Sequence, residues 1–288
     1  MEFRKIQDLI RLAKNKRSSI GKIVIEFEAK SSEKSEKEIW KKMENNWRVM
    51  KQSIDHGLTQ DIRSITGLTG GNAKRFANAN LKIIDDTMKK AISRALSVAE
   101  GNASMKKIVA APTAGSSGII PAAITVTIEK LKIPEENAVQ ALFTAASVGL
   151  VIANNATISG AEGGCQSECG VASAMAAAAV VELAGGSPDQ VGHAVAIALK
   201  NMLGLVCDPV AGLVEVPCIK RNVIGVVNAL VSAEMALAGI KSIIPVDEVI
   251  LALDDVSKRM PLELKETARG GLAITPTGKR LKEKFIGK

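Results

Sequence analysis

Four cysteines, Cys165, Cys169, Cys207 and Cys218, are the residues of this 288-residue chain best suited to chemistry. Cys165 and Cys169 lie in Gly163-Gly164-Cys165-Gln166-Ser167-Glu168-Cys169-Gly170, and Cys207 and Cys218 bracket the stretch CDPVAGLVEVPC. The separations are 207 − 165 = 42 and 218 − 207 = 11. Each thiol stands at or near Gly or Pro, in irregular backbone between apolar stretches. Loops joining helices bring sequence-distant thiols together, and soft thiolates suit iron–sulfur clusters or zinc. A free cysteine is also simply a small buried hydrophobe, and the cysteines alone leave both readings open. There is no CxxC pair and no ferredoxin spacing. A four-cysteine zinc site would recruit Cys169, four residues after Cys165 and on its face of a regular helix. The glycines around it argue against a regular helix there.

A second group is the loop Pro112-Thr113-Ala114-Gly115-Ser116-Ser117-Gly118. Its backbone N–H groups and the hydroxyls of Thr113, Ser116 and Ser117 form a candidate cradle for a carboxylate, with a helix N-terminus behind it. Loops of this composition are equally often plain turns. Neither this loop nor GLTGGNAK, residues 67–74, is a phosphate-binding P-loop; in the latter Ala73 stands where Gly precedes the Lys. Glu162, Glu168 and Asp208 flank the cysteines and could orient a substrate amine, act as a base, or cap a loop. Of the two histidines, His193 falls within a helical pattern and reads as a satisfied buried residue. His56 sits at a helix end beside Gly57, where the helix dipole accounts for it. No Ser/His/Asp arrangement has an interpretable spacing.

The elements that must position these residues read as helices. The composition is 47% hydrophobic but 2% aromatic, so the core is Ala, Val, Ile and Leu, which suits closely approaching helices. Ser35 and Glu38 have capping-box spacing, and Ile39, Met43, Trp47, Met50 and Ile54 follow at helical intervals, with Gly57 as the expected stop. Residues 67–80 read as a Gly/Asn-rich loop and 81–100 as a second helix carrying Ile84, Met88 and Ile92 on one face. Further helix starts are expected at Pro134-Glu135-Glu136, at Ser187-Pro188-Asp189-Gln190 and at Pro245 with Asp247 and Glu248. Strand-like alternation is rare; residues 22–28 are its best candidate. The expected fold is all-α, a compact multi-helix domain with the Gly-rich and Cys-bearing loops at the active site. It is expected to be one unit over 1–288, with a charged helical region over residues 1–104 and a small-residue helical core over residues 105–288.

The formal charge is 38 − 30 = +8. Much of it lies in the first hundred residues and the tail Lys279–Lys288, and it reads as a solvated surface or a docking face for an acidic partner. The stacking aromatics of nucleic-acid binders are missing, so nucleic acid is not an expected partner. The apolar segments 171–184 and 223–240 are Ala- and Gly-rich and broken by Glu182 and Glu234, so membrane spanning is not expected. The N-terminus is a charged amphipathic segment without a signal-peptide core, which points to the cytoplasm. There, cysteines are more often metal-binding, catalytic or buried than disulfide-bonded.

Several long motifs carry a resemblance to a known family. Asn155-Ala156-Thr157-Ile158-Ser159-Gly160-Ala161-Glu162-Gly163-Gly164-Cys165-Gln166 resembles the signature N-A-(S/T)-I-S-G-A-E-x-G-C-Q of the iron–sulfur L-serine dehydratases, alpha chain. CDPVAGLVEVPCIKRN (207–222) is similar to their second signature and APTAGSSGIIPA (111–122) to their Gly-rich loop. GLTGGNAK (67–74) and the ending Arg269-Gly270-Gly271-Leu272-Ala273 through Thr275-Pro276-Thr277-Gly278 also fit, so the likeness covers nearly the whole chain.

The resemblance implies a 4Fe–4S cluster held by Cys165, Cys207 and Cys218, with Cys169 outside the ligand set and one iron left open as a Lewis acid for L-serine. It implies that Thr113, Gly115, Ser116, Ser117 and Ser159 line the substrate site, together with Arg221 and Asn222. Arg221 serves equally well as a charge behind the cluster or at a subunit interface. It implies a separate beta subunit, carrying an ACT domain in the two-subunit type, because no beta-type segment is found here; the catalytic base is left unassigned, with that partner as a place for it. A pyridoxal-phosphate lysine motif is not recognisable, so that cofactor is not expected. Two rivals stand beside this reading: an L-cysteine desulfidase-like lyase, and a non-catalytic cluster or zinc protein in which Cys169 closes the coordination.

Overall fold

Local capping chemistry sets where several helices begin. The Ser35 hydroxyl accepts from the Glu38 amide at 3.3 Å while Glu38 Oε2 accepts from the Ser35 amide at 2.9 Å. Ser187 and Gln190 repeat this box, with Pro188 in the first turn. Asp85 accepts from the Met88 amide at 2.9 Å, and Ser19 from that of Lys22 at 3.3 Å. Each cap satisfies an amide that has no partner inside the helix, a contribution of about 1 kcal/mol.

The computed structural model describes residues 3–286. Thirteen α-helices follow one another there: α1 (Ile6–Lys16), α2 (Ile20–Ser31), α3 (Glu36–Thr59), α4 (Asn72–Asn78), α5 (Asp86–Ala103), α6 (Ile119–Leu131), α7 (Glu136–Asn155), the single turn α8 (Gly160–Gly163), α9 (Val171–Leu183), α10 (Pro188–Met202), α11 (Cys218–Leu237), α12 (Val246–Arg259) and α13 (Pro276–Ile286). Among the described residues there is no β-strand, only isolated bridges between Arg63 and Gly70 and between Cys207 and Lys265. The fold is all-α, as its composition predicts.

Helix α9 is the axis of the molecule. Every residue from Val171 to Leu183 except Glu182 is buried, and α6, α7, α10 and α11 pack around it. Its alanines let neighbouring helix axes come close, and the cost of a charge at its end is met by hydrogen bonds. Glu182 accepts from Thr144 Oγ1 at 2.6 Å, from Gln140 Nε2 at 3.1 Å and from the Gly21 amide at 3.2 Å, tying α9 to α7 and α2. One aliphatic core runs from Phe3, Ile6 and Leu9 through Trp47 to Ile250 and Leu253, so the charged N-terminal region and the small-residue region share it. By length and hydropathy α7 is the one described helix able to cross a membrane, but two-thirds of that window (67%) is buried inside the protein, as for a core helix.

Four sequence expectations change. Residues 22–28 are helical, not extended. Ile23, Ile25 and Phe27 alternate, but Ile20, Ile23 and Val24 also follow helical spacing, and the Ser19 cap and packing on α7 decide for the helix. Gly57 does not end α3, which runs on to Thr59; it is a contact point at which the Gly57 amide donates to Ser97 Oγ at 2.9 Å. The helix expected over 81–100 starts at Asp86, where Asp85 caps it, and continues to Ala103, leaving Ile84 outside. The 67–80 loop contains α4, whose first amides, those of Asn72 and Ala73, donate to the buried carboxylate of Glu100 at 2.8 and 3.1 Å. His193 is half-buried on α10, and His56 lies in the last turn of α3. Of the basic tail, 279–286 belong to α13 and the last two residues lie outside the described ones.

Candidate metal centre

Three segments meet at one end of α9. The first is the Cys165 segment. Gly164 has φ +78°, which a side chain resists, and its turn breaks α8 from a single π-helical turn, Gln166–Gly170, that leads into α9. Buried Gln166 fixes this turn. Its amide nitrogen Nε2 donates to Gly163 O at 2.9 Å and to Ser257 Oγ at 3.1 Å, and its Oε1 accepts from the Gly204 amide at 2.8 Å. The second piece is Cys207, whose N–H donates to Leu264 O at 2.8 Å and whose carbonyl accepts from the Glu266 amide at 2.7 Å. The third is Cys218, the first residue of α11, at the positive end of that helix.

All four cysteines are buried and unbridged. The ligand atoms of Cys165, Glu168 and Cys207 lie within 4.8 Å of one another, a grouping able to hold a metal ion. Cys218 stands beside this trio rather than in it. Cys169 differs from the other three in belonging to the aliphatic core as well. Space here depends on glycine: a Cβ at Gly160 would lie 2.6 Å from Glu168 Oε2 and 3.3 Å from Cys207 Sγ, and one at Gly115 would lie 3.4 Å from Glu168 Oε1.

The electrostatics centre on Cys165. Hydrogen bonds from the Cys169 and Cys207 thiols, followed by the nearby Arg221 guanidinium, hold the Cys165 thiol down at about 3. The reciprocal effect raises Cys169 and Cys207, each of which donates to that sulfur and is buried. Burial, then the Cys165 charge, pushes Cys218 up to about 12. Burial raises Glu168 to about 7 against the pull of a hydrogen bond from Thr113, and burial plus the Cys165 charge raises Glu266. The site is therefore electron-rich, with soft donors and carboxylates crowded together, and favours a cation.

The residues singled out from the sequence divide into two groups. Thr113 and Gly115 face Glu168 directly. Ser116 and Ser117 are buried; Ser116 Oγ lies 3.1 Å from Thr113 Oγ1, and Ser117 Oγ has no partner among the described residues. Ser159, next to Gly160, opens on a pocket of about 580 Å³ shared with Thr157, Glu162, Lys258 and Lys265. Arg221 and Asn222 are committed to the protein itself. Arg221 Nη1 donates to Cys165 Sγ at 3.3 Å and to Val206 O at 2.8 Å, and its Nη2 donates to Asp208 Oδ1 at 2.7 Å. Asn222 Oδ1 accepts from the Gly118 amide at 3.0 Å while its Nδ2 donates to Gly115 O at 2.7 Å. The Gly118 N–H expected to bind an anion is thus already used. Glu266 is a site residue that sequence reasoning missed. It lies outside the C-terminal motif that begins at Arg269 and carries no sequence signal, since the backbone pairing of Cys207 with residues 264–266 is what brings it in.

An all-α chain with cysteines and carboxylates gathered at the end of a buried central helix defines a helical protein with a grouping able to hold a metal ion. Comparison with known proteins gives the family. The model of the serine dehydratase alpha chain family matches residues 15–273. The chain is 49% identical over 288 residues to a probable L-serine dehydratase, alpha chain, of Bacillus subtilis, covering 99% of this chain and 96% of that one. It is 45% identical over 283 residues to the L-serine dehydratase, alpha chain, of Peptoniphilus asaccharolyticus, covering 97% of each. A longer L-serine dehydratase of Streptomyces coelicolor is 38% identical over 94% of this chain, a match that spans 61% of the relative. The chain belongs to the serine dehydratase alpha chain family.

Proposed function

We propose that this chain is the catalytic alpha chain of an L-serine dehydratase, converting L-serine to pyruvate and ammonia with a 4Fe–4S cluster on Cys165, Cys207 and Cys218 and with a separate beta chain. The observation that carries it is the convergence of Cys165, Glu168 and Cys207 within 4.8 Å, beside Cys218, in a member of this family. The donor set suits the group: three thiols from three separate segments, that of Cys165 held low by its neighbours, around a space kept open at Gly160 and Gly115. A separate beta chain is supported by end-to-end likeness to proteins named alpha chains and by the unmatched remainder of the Streptomyces relative. A single unit over residues 1–288, working in the cytoplasm, belongs to the proposal, because iron-binding thiols need a reducing compartment.

When bound, the cluster supplies a Lewis-acidic iron free of a protein thiolate, which eases departure of hydroxide. The chain's own groups bind and orient. Glu168, between Gly115 and Gly160, faces the serine ammonium, and Thr113 steadies its carboxylate. Asn222 fixes the Gly115–Gly118 turn, whose Ser116 and Ser117 hydroxyls border the substrate. Ser159 lies at the rim. Removal of the α-proton and hydroxide from serine leaves an enamine; this tautomerises to an imine, which water hydrolyses to pyruvate and ammonia. The base that takes the α-proton is left unassigned, with the partner chain as a place for it.

Anaerobic reconstitution with iron and sulfide, with and without the beta chain, followed by pyruvate measurement on L-serine, tests this. Cys165→Ser, Cys207→Ser and Cys218→Ser are each expected to abolish cluster and activity, and Cys169→Ser to keep both. Bound iron with sulfide release from L-cysteine but no pyruvate would turn the reading to a desulfidase. Loss of the cluster in Cys169→Ser would favour a closed four-thiolate centre, which the Cys169–Cys165 hydrogen bond makes the specific rival.

A further inference from the structure

The motif Arg269-Gly270-Gly271-Leu272-Ala273 lies far along the chain from the cysteines and has no role in the chemistry above. Its backbone is nevertheless connected to Cys165. The Leu272 amide donates to Asp208 Oδ2 at 2.8 Å, and the other oxygen of the same carboxylate accepts from Arg221 Nη2 at 2.7 Å. Arg221 then places Nη1 at 3.3 Å from Cys165 Sγ. Asp208 is 3% exposed, so this is a buried chain of charge-assisted hydrogen bonds rather than a surface ion pair. Gly271 permits it. Its φ is +56°, and a Cβ there would fall 2.3 Å from Asp208 Oδ2 and 2.8 Å from Asp208 Cβ, so the carboxylate would have to leave its place.

We infer that Asp208 is a positioning residue: clamped by the Leu272 amide, it holds the Arg221 guanidinium against the Cys165 sulfur, and this strengthens the hold of Cys165 on the bound cluster. The inference rests on the proposed cluster reading. A donor to a ligand sulfur, oriented by a partner behind it, raises both metal affinity and reduction potential. An arginine fixed at three of its contacts is also unable to swing into the substrate space, so Arg221 acts on the cluster side of the site.

The test uses the full chain reconstituted anaerobically, and reads the rate at which iron passes to an excess chelator and the midpoint potential. Asp208→Asn, Gly271→Ala and Arg221→Met are expected to release iron about tenfold faster than the unaltered chain, with potentials shifted downward. The double variant Arg221→Met/Asp208→Asn is expected to match Arg221→Met, because Asp208 acts through Arg221. If Asp208 acted only as a charge, Asp208→Asn would shift the potential upward and slow iron release; that result, or additive losses in the double variant, would overturn the inference. Failure of the unaltered chain to hold any cluster would instead overturn the reading beneath it. Hydrogen exchange at the Leu272 amide needs no iron and is expected to quicken in Asp208→Ala, which removes the acceptor; unchanged exchange there would overturn the clamp whatever the iron shows.

Discussion

Asn222 shows how much one uncharged side chain can decide. It is fully buried, its Oδ1 takes the Gly118 amide, and its Nδ2 reaches Gly115 O and, at 3.2 Å, Cys218 O. It therefore joins the first turn of α11 to the loop before α6 across the candidate site. A residue that only met substrate could be truncated without loss of stability. Asn222→Ala instead leaves a buried amide and carbonyl unpaired and is expected to cost about 1–3 kcal/mol in urea unfolding. In the reconstituted enzyme the same variant is expected to raise KM for L-serine several-fold, because the loop carrying Thr113 and Ser116 loses its support; unchanged stability would place Asn222 back among direct substrate contacts. That Asn222 mattered was legible from its motif. What it touches was not, since its partners at Gly115 and Gly118 are more than a hundred residues away and only the packing of α11 against α5 and α6 makes them neighbours.

Helices divide between those whose ends are written locally and those whose course is set by neighbours. The Ser35/Glu38 and Ser187/Gln190 boxes are each complete within four residues, so the sequence reveals them and the structure forms both. The Ile23–Phe27 stretch satisfies two periodicities at once, and only its cap and its contact with α7 choose between them. Gly57 is the sharper case, because propensity alone gives the opposite sign to its packing: inside an exposed helix a change to alanine would gain up to about 1 kcal/mol. In the structure an added Cβ would meet Ser97 Oγ at 2.6 Å and Ser97 Cα at 2.9 Å, so α3 and α5 would have to separate. Gly57→Ala is expected to destabilise the chain by about 1–3 kcal/mol, read from the urea midpoint; a neutral or stabilising result would mean that the two helices have room to part.

Across the whole molecule, the core and the candidate centre are built from different residues. The main aliphatic core draws on α1 to α3, α5 to α7 and α9 to α12 and includes Cys169, but not Cys165, Cys207 or Cys218. Of the three, Cys207 sits in a segment held by a few hydrogen bonds, its pairing with residues 264 and 266, while Cys218 opens α11 and Cys165 lies in the turn fixed by Gln166. On the proposed cluster reading, binding is expected to order loops 204–217 and 261–275 rather than to form helices, in contrast to small metal-dependent domains that unfold without their metal. Removing iron from the reconstituted chain is expected to leave the far-UV helical signal unchanged. The thermal midpoint is expected to fall by mass action as the bound group is lost. Limited proteolysis is expected to shift to those two loops first, because local opening follows low contact density and few buried apolar groups. A collapse of helical signal on iron removal would show that the packing around α9 depends on the centre at its end. Retained helicity with unaltered cleavage would show that the loops are held by the Asp208–Leu272 and Cys207–Glu266 contacts alone. The expected pattern, stable helices with newly exposed loops, would explain how a chain of this family could survive loss of its cluster and be reloaded without refolding.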